Sequence, residues 1–209
     1  MNITQELKSF AEQMSANAPK EVLQIIGAEI ENQINSGVVE KALKVGDHAP
    51  DFELQDSDGN TFRINDLTRA KKVIVSFTRG NWCPFCNIEF KHLQNELQNA
   101  EKSGYELIVI SPQLPKKSAE LKKQNGYDFP ILYDRDNKVA EQFGITFTLA
   151  ESLRPIHAAF NMNIPEHNGN ESFILPIPAT YVLDKGNLIT QAYVNPNWME
   201  RADIKSLII

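Results

Sequence analysis

The chain has 209 residues and a formal net charge of -6. That length can bury ~70% of the unfolded surface, so no disulfide is needed for stability, and the negative charge argues against a nucleic-acid backbone as partner. No run approaches the ~18 apolar residues of a membrane span, and "MNITQELKSFAEQ" lacks a cationic head followed by an apolar stretch, so a cytoplasmic protein without membrane contact is expected.

Residues 3–42 read as helical. Ile3, Leu7, Phe10 and Met14 recur at helical spacing, "NAPKE" interrupts and restarts the pattern, and Val22, Leu23, Ile26, Ile30 and Ile34 continue it to Asn35-Ser36-Gly37. This predicts a helical hairpin over residues 1–43, laid either on the core or on a second copy as a homodimer. From residue 44 to residue 209 the texture is that of one α/β domain. "VGDHAPDFELQDSDGNTFRINDL" alternates around Asp58-Gly59-Asn60, as a β-hairpin does. "KKVIVSFT" is a strand buried on both faces, followed by a helix from Pro84 that Gly104 closes. "YELIVIS", "PKKSAELKKQNG", "FPILYD" and "NKVAEQFGI" alternate strand and helix. "ATYVLDKGNLITQAYV" is a hairpin around Lys185-Gly186-Asn187. Residues 146–176, rich in Asn, Pro and His, fit no period and read as an insertion. Lys116–Lys117 and Lys122–Lys123 read as a solvated helix face.

Both cysteines lie in "RGNWCPFCNIEF", Arg79 to Phe90. The order strand, short loop, helix start puts Cys83 near the N-cap and Cys86 in the first turn, with Pro84 where its missing N–H costs nothing. Free N–H groups and the positive end of the helix dipole favour a thiolate there, and C-x-x-C spacing lets two sulfurs close a small disulfide. A structural zinc site needs four ligands. With two cysteines, and His48, His92, His157 and His167 scattered, neither a metal nor an organic cofactor is expected. The redox reading is preferred over inert thiols.

Residues 44 to 194 resemble the peroxiredoxin-like members of the alkyl hydroperoxide reductase and thiol-specific antioxidant family, within the thioredoxin-fold group. The resemblance rests on "VGDHAPDFELQDSDGN", "VSFTRGNWCPFCNIEF", "VISPQLPKKSAELKKQNGYDFPILYDRDNKVAEQFGI" and "PATYVLDKGNLI". It implies a thioredoxin-like fold, a central mixed sheet flanked by helices, with the N-terminal hairpin as an extension. It also implies an antioxidant oxidoreductase acting on a hydroperoxide or a disulfide, restored by a thioredoxin- or glutaredoxin-type reductant. Peroxiredoxins resemble P-x-x-x-[T/S]-x-x-C with a glutamate three residues later. Laid on this sequence, Cys86 takes the peroxidatic position and Glu89 the glutamate, while Cys83 replaces the hydroxyl residue and Arg79 the proline. The family's later arginine falls where this sequence has Pro178. "WCPFC" and "IPAT" are closer to thioredoxins, whose cis-proline would correspond to Ile177-Pro178.

Two chemistries stay open on these residues. In one, Cys86 attacks a hydroperoxide and Cys83 resolves the sulfenic acid. In the other, Cys83 attacks protein disulfides and Cys86 resolves. A redox-sensing binding module is a third reading, to which the N-terminal helices and the insertion would lend surface. Trp82 is expected to shield the couple, Arg79 to stabilise a thiolate or a peroxide oxygen, and Glu89 to relay a proton. Arg154 and His157 are candidates for a lid, and with Pro178 in place of arginine the site is expected to be one cation short.

Overall fold

The computed structural model describes residues 2–208; Met1 and Ile209, the outer ends of the expected extension and domain, lie outside them. Three helices come first: α1 (Ile3–Asn17), capped by the Asn2 side chain, α2 (Lys20–Asn35) and the short α3 (Val38–Lys41). A two-stranded ribbon of β1 (Glu53–Gln55) and β2 (Thr61–Arg63) follows. Its turn is held by the Asp56 carboxylate, which accepts from the backbone N–H groups of Asp58 and Asn60 at 2.9 Å each, a short-range bond that aspartate is suited to make. The chain then runs through α4 (Ile64–Ala70), β3 (Lys72–Phe77), α5 (Pro84–Lys102), β4 (Tyr105–Ser111), α6 (Pro115–Asn125), β5 (Ile131–Tyr133) and α7 (Lys138–Gln142).

The stretch expected to be an irregular insertion has a frame of its own. β6 (Thr146–Thr148) and β7 (Ile174–Pro176) pair antiparallel, and α8 (Arg154–Ala159) and α9 (Ile164–Asn168) lie between them. Strands β8 (Ala179–Asp184) and β9 (Leu188–Val194) form the final hairpin, before a C-terminal segment with α10 (Ile204–Leu207).

Among the described residues, five strands make the main sheet in the order β5-β4-β3-β8-β9. β3, β4 and β5 run parallel, while β8 is antiparallel to both β3 and β9. Alternate residues of the central strand serve opposite cores. Ile74 joins Leu107, Val109 and Val182 under α5, α1 and α6. Val73, Val75 and Phe77 join Ile108, Tyr181 and Leu183 under α3, α4 and α7. A strand covered on both faces is apolar throughout, as "KVIVSF" nearly is. Lys72 is exposed at the start of the strand, and the one buried exception is Ser76, which points toward α5.

The lysines of the central region pair with nearby acids: Lys71 with Glu106, Lys117 with Glu166 and Lys122 with Asp58. They make no patch for an anionic partner. No helix among the described residues is long and apolar enough to cross a membrane.

Helix α5 carries the site and lies on the sheet through a stripe at Cys86, Phe90, Leu93, Leu97 and Ala100. Leu93 is fully buried in that layer. Leu93→Ala is expected to cost about 2–5 kcal/mol of stability, read as a lower urea midpoint at unchanged m-value.

Candidate active site

The loop between β3 and α5 is shaped by Gly80, whose φ of +129° is open to glycine but strained for other residues. A Cβ there would also lie 2.9 Å from Trp82 Nε1 and 3.0 Å from Gln113 Oε1. Gln113, just beyond β4, pins the loop by accepting from the Asn81 N–H at 2.7 Å. The loop delivers Cys83 as the N-cap residue of α5 and Pro84 as its first residue. Cys86 follows in the first turn, and both thiols are free and 0% exposed.

Each sulfur has its own arginine. Arg79, 2% exposed, donates from Nη2 to Cys83 Sγ at 2.9 Å. Its guanidinium lies between two indoles, with ring centroids 5.2 Å away at Trp82 and 5.3 Å at Trp198. Its Nε and Nη1 are buried and find no acceptor among the described residues, nor does Trp82 Nε1. Arg201, from the C-terminal segment, donates from Nη2 to Cys86 Sγ at 3.2 Å and from Nε to Glu89 at 2.6 Å. Glu89 also accepts from Ser76 Oγ at 2.7 Å. Arg201 Nη1 is satisfied by the carbonyls of Trp198 and Glu200.

The two thiols are driven apart. Burial pushes Cys83 up, but a hydrogen bond from the Cys86 thiol and the charges of Arg79 and Arg201 outweigh it and hold Cys83 well below the ordinary range. Cys86 is held well above that range by burial, by its hydrogen bond to Cys83 and by the negative charge there, which together exceed the pull of Arg201. Burial raises Glu89 against the opposing charge of Arg201. The arrangement therefore favours ionisation of Cys83 over Cys86.

A cavity of about 340 Å³ opens beside the loop. Arg79, Trp82, Pro84 and Phe85 border it, and neither cysteine does, so the Cys83 sulfur lies behind the Arg79 guanidinium. His157 also borders the cavity, edge-on to Trp82 at 5.7 Å. Burial lowers the His157 pKa to about 4, which keeps it neutral.

The structure thus gathers Cys83, Cys86, Trp82, Arg79, Glu89 and His157. Arg154 stays apart, over the Phe173 ring at 4.2 Å. Pro178 is buried before β8, whose Ala179 pairs with Phe77 at the end of β3, but the expected cis bond is not there: no peptide bond among the described residues is cis. A second buried cation, Arg201, stands at Cys86 and Glu89, and sequence reasoning missed it. The available signal was Glu89, which interrupts the buried stripe of α5 and, as a carboxylate there, requires a cationic partner.

A family model described as "AhpC/TSA family" matches residues 45–192. The chain is 32% identical over 103 residues to the peroxiredoxin Bcp of Escherichia coli K12, covering 49% of this chain and 65% of that protein. It therefore spans less than two thirds of that relative's length. It is 27% identical over 165 residues to the thiol-disulfide oxidoreductase ResA of Geobacillus thermodenitrificans, covering 78% and 76% of the two chains. The structure of peroxidoxin BcpB from Mycobacterium tuberculosis superposes with a TM-score of 0.63 at 22% identity, over 79% of this chain and 94% of that one. The fold is thioredoxin-like, as the resemblance implied.

Two variants test the electrostatics. Arg79→Gln is expected to raise the Cys83 pKa by roughly one unit or more. Ultraviolet thiolate absorbance should then fall at about pH 6 and be unchanged where both proteins are fully ionised. Arg201→Gln leaves Glu89 buried without its counter-charge and is expected to cost about 3–5 kcal/mol in urea unfolding.

Proposed function

Since the chain belongs to the AhpC/TSA family, we propose that it reduces hydroperoxides through the Cys83–Cys86 couple, with Cys83 as attacking thiolate and Cys86 as resolving thiol. The observation that carries this reading is Arg79. It holds Cys83 Sγ with one nitrogen, keeps two further buried donors without acceptors among the described residues, and as a residue borders the cavity. Those donors suit the oxygens of a peroxide. The Glu89 spacing points to Cys86 as the attacking sulfur, but the charges support the opposite order, because the thiolate is the nucleophile.

In this scheme Cys83 S⁻ attacks the distal oxygen of the hydroperoxide and the O–O bond breaks. The alkoxide takes up the proton that Cys83 released on ionising and leaves as an alcohol. Cys83 is now a sulfenic acid, and the Cys86 thiol condenses with it, forming the disulfide and releasing water. Arg79 stabilises the charge on the departing oxygen, a contribution of ~3 kcal/mol or about a hundredfold in rate for one such donor in a dry site. Arg201, itself paired with Glu89, holds Cys86 in place. A thioredoxin- or glutaredoxin-type reductant in the cytoplasm restores the dithiol. Both sulfurs are enclosed, so a protein reductant requires this wall of the site to open once the disulfide has formed.

A thiol:disulfide oxidoreductase is the second reading, supported by the breadth of the similarity to ResA. The complete burial of both sulfurs weighs against it. A small peroxide needs only a small displacement at Arg79 to reach Cys83, whereas a protein disulfide needs the wall itself to open.

Two measurements separate these readings. In rapid mixing, the reduced protein should be oxidised by a hydroperoxide faster than it reduces a protein disulfide; the reverse order favours the second reading. Cys86→Ser should accumulate a dimedone-reactive sulfenic acid at Cys83 under peroxide. An adduct at Cys86 in Cys83→Ser, with none in Cys86→Ser, would return the nucleophile to Cys86.

A further inference from the structure

The cavity beside Arg79 is walled by segments on either side of the family-matched residues 45–192 as well as by that region. Phe10, Met14 and Ala18 come from α1 and its C-cap, Val22 and Ile26 from α2, and Trp198 and Met199 from the C-terminal segment. Leu153, Ile156 and Phe160 close it from the insertion, with Phe160 57% exposed at the rim. The first half of the α1 stripe, Ile3 and Leu7, is buried in the core, while its second half faces open space. In α2 the buried residues are Glu29 and Gln33, and the apolar Val22 and Ile26 border the cavity instead. Apolar stripes that end on a cavity leave burial energy uncollected until something apolar fills it.

Two more observations define the occupant. Of the four methionines in the chain, Met14, Met162 and Met199 all border this one cavity. Methionine is the side chain that conforms best to varied apolar shapes and makes favourable contacts with aromatic rings. The remaining wall mixes aromatic and aliphatic side chains, and with His157 neutral Arg79 is the only charge among the described residues that borders the space. An apolar chamber with a single cationic end, next to a sulfur held by that same cation, fits a molecule with an apolar body and one acceptor head.

We propose that this cavity seats the organic group of the peroxide, and that the N-terminal helices make the protein selective for hydroperoxides bearing an aryl or branched alkyl group over hydrogen peroxide. Phe10, Met14, Ala18, Val22 and Ile26 are then the specificity-determining residues. The peroxy head lies at the Arg79 end of the cavity, and a shift of that side chain brings its unpaired donors to the oxygens and opens the way to Cys83. Attack there breaks the O–O bond and leaves the alcohol in the chamber. This selectivity rests on the peroxidase reading, whereas the apolar binding site does not.

The test uses the full chain and two probes. Cumene hydroperoxide is expected to oxidise the reduced protein at least about tenfold faster than hydrogen peroxide in a single turnover, followed by tryptophan fluorescence. Its unreactive alcohol, 2-phenyl-2-propanol, should bind the reduced protein and perturb the same fluorescence, since Trp82 and Trp198 border the site. Ala18→Trp, which fills the chamber, and Val22→Glu, which charges its wall, should each lower the cumene-to-hydrogen-peroxide rate ratio by about tenfold and weaken alcohol binding. Gln24→Trp, on the exposed side of α2, should change neither. Equal rates for the two peroxides, no binding of the alcohol, or a ratio unmoved by both wall variants would overturn the proposal. Alcohol binding that the wall variants weaken, with no oxidation by either peroxide, would instead overturn the peroxidase reading and uphold the binding site.

Discussion

A guanidinium stays charged at any pH the protein meets, so burying one obliges the fold to bring negative charge to it. Arg201 meets that demand with Glu89, and Glu89 in turn explains why Ser76 lies in an otherwise apolar strand and donates across to α5. Among the described residues Arg79 has no carboxylate partner. Two indole faces and the sulfur of Cys83 are its partners, and indoles supply only a quadrupole. The sulfur is therefore the one group that can neutralise it, and ionising Cys83 is the least costly way to keep Arg79 buried. The reactive state of the thiol follows from this constraint more directly than from the start of α5, because Cys83 makes no side-chain cap to that helix.

The same arrangement keeps the second sulfur protonated. Two thiolates side by side in a dry site would repel strongly, and the field that ionises Cys83 makes Cys86 the poorer acid. Condensation with a sulfenic acid needs a partner thiol at short range, and the pair supplies one without a further residue. Arg201, with its Nη1 bound to two backbone carbonyls, fixes Cys86 against the C-terminal segment.

Local chemistry was legible in the sequence. The run "KVIVSF" into "RGNWCPFC" announces a strand, a loop and a helix start, and the turns at Asp58-Gly59-Asn60 and Lys185-Gly186-Asn187 both appear where those residues stand. What stayed hidden was held by long-range contact. Arg201 sits in "WMERADIK", a stretch without periodicity, 115 positions from the sulfur it touches. β6 and β7 are three residues each, too short for alternation to register, and they meet across the whole insertion. The cis bond at Pro178 was carried over from thioredoxins through "IPAT", four residues that do not determine the isomer. The α1–α2 stripe was visible, but periodicity reports that a face is apolar and says nothing of whether it meets a core or a cavity.

The distance between Arg201 and the cysteines along the chain also bears on biosynthesis. A ribosome releases Cys83 and Cys86 well over a hundred residues before the segment carrying Trp198 and Arg201 emerges. Until that segment docks, Arg79 lacks one of its two indoles, Glu89 has no counter-ion, and water still reaches the helix start. In that interval the cation that touches Cys86 is missing and the dry enclosure is incomplete, so the full set of contacts around the two sulfurs forms only when the last stretch closes over the first.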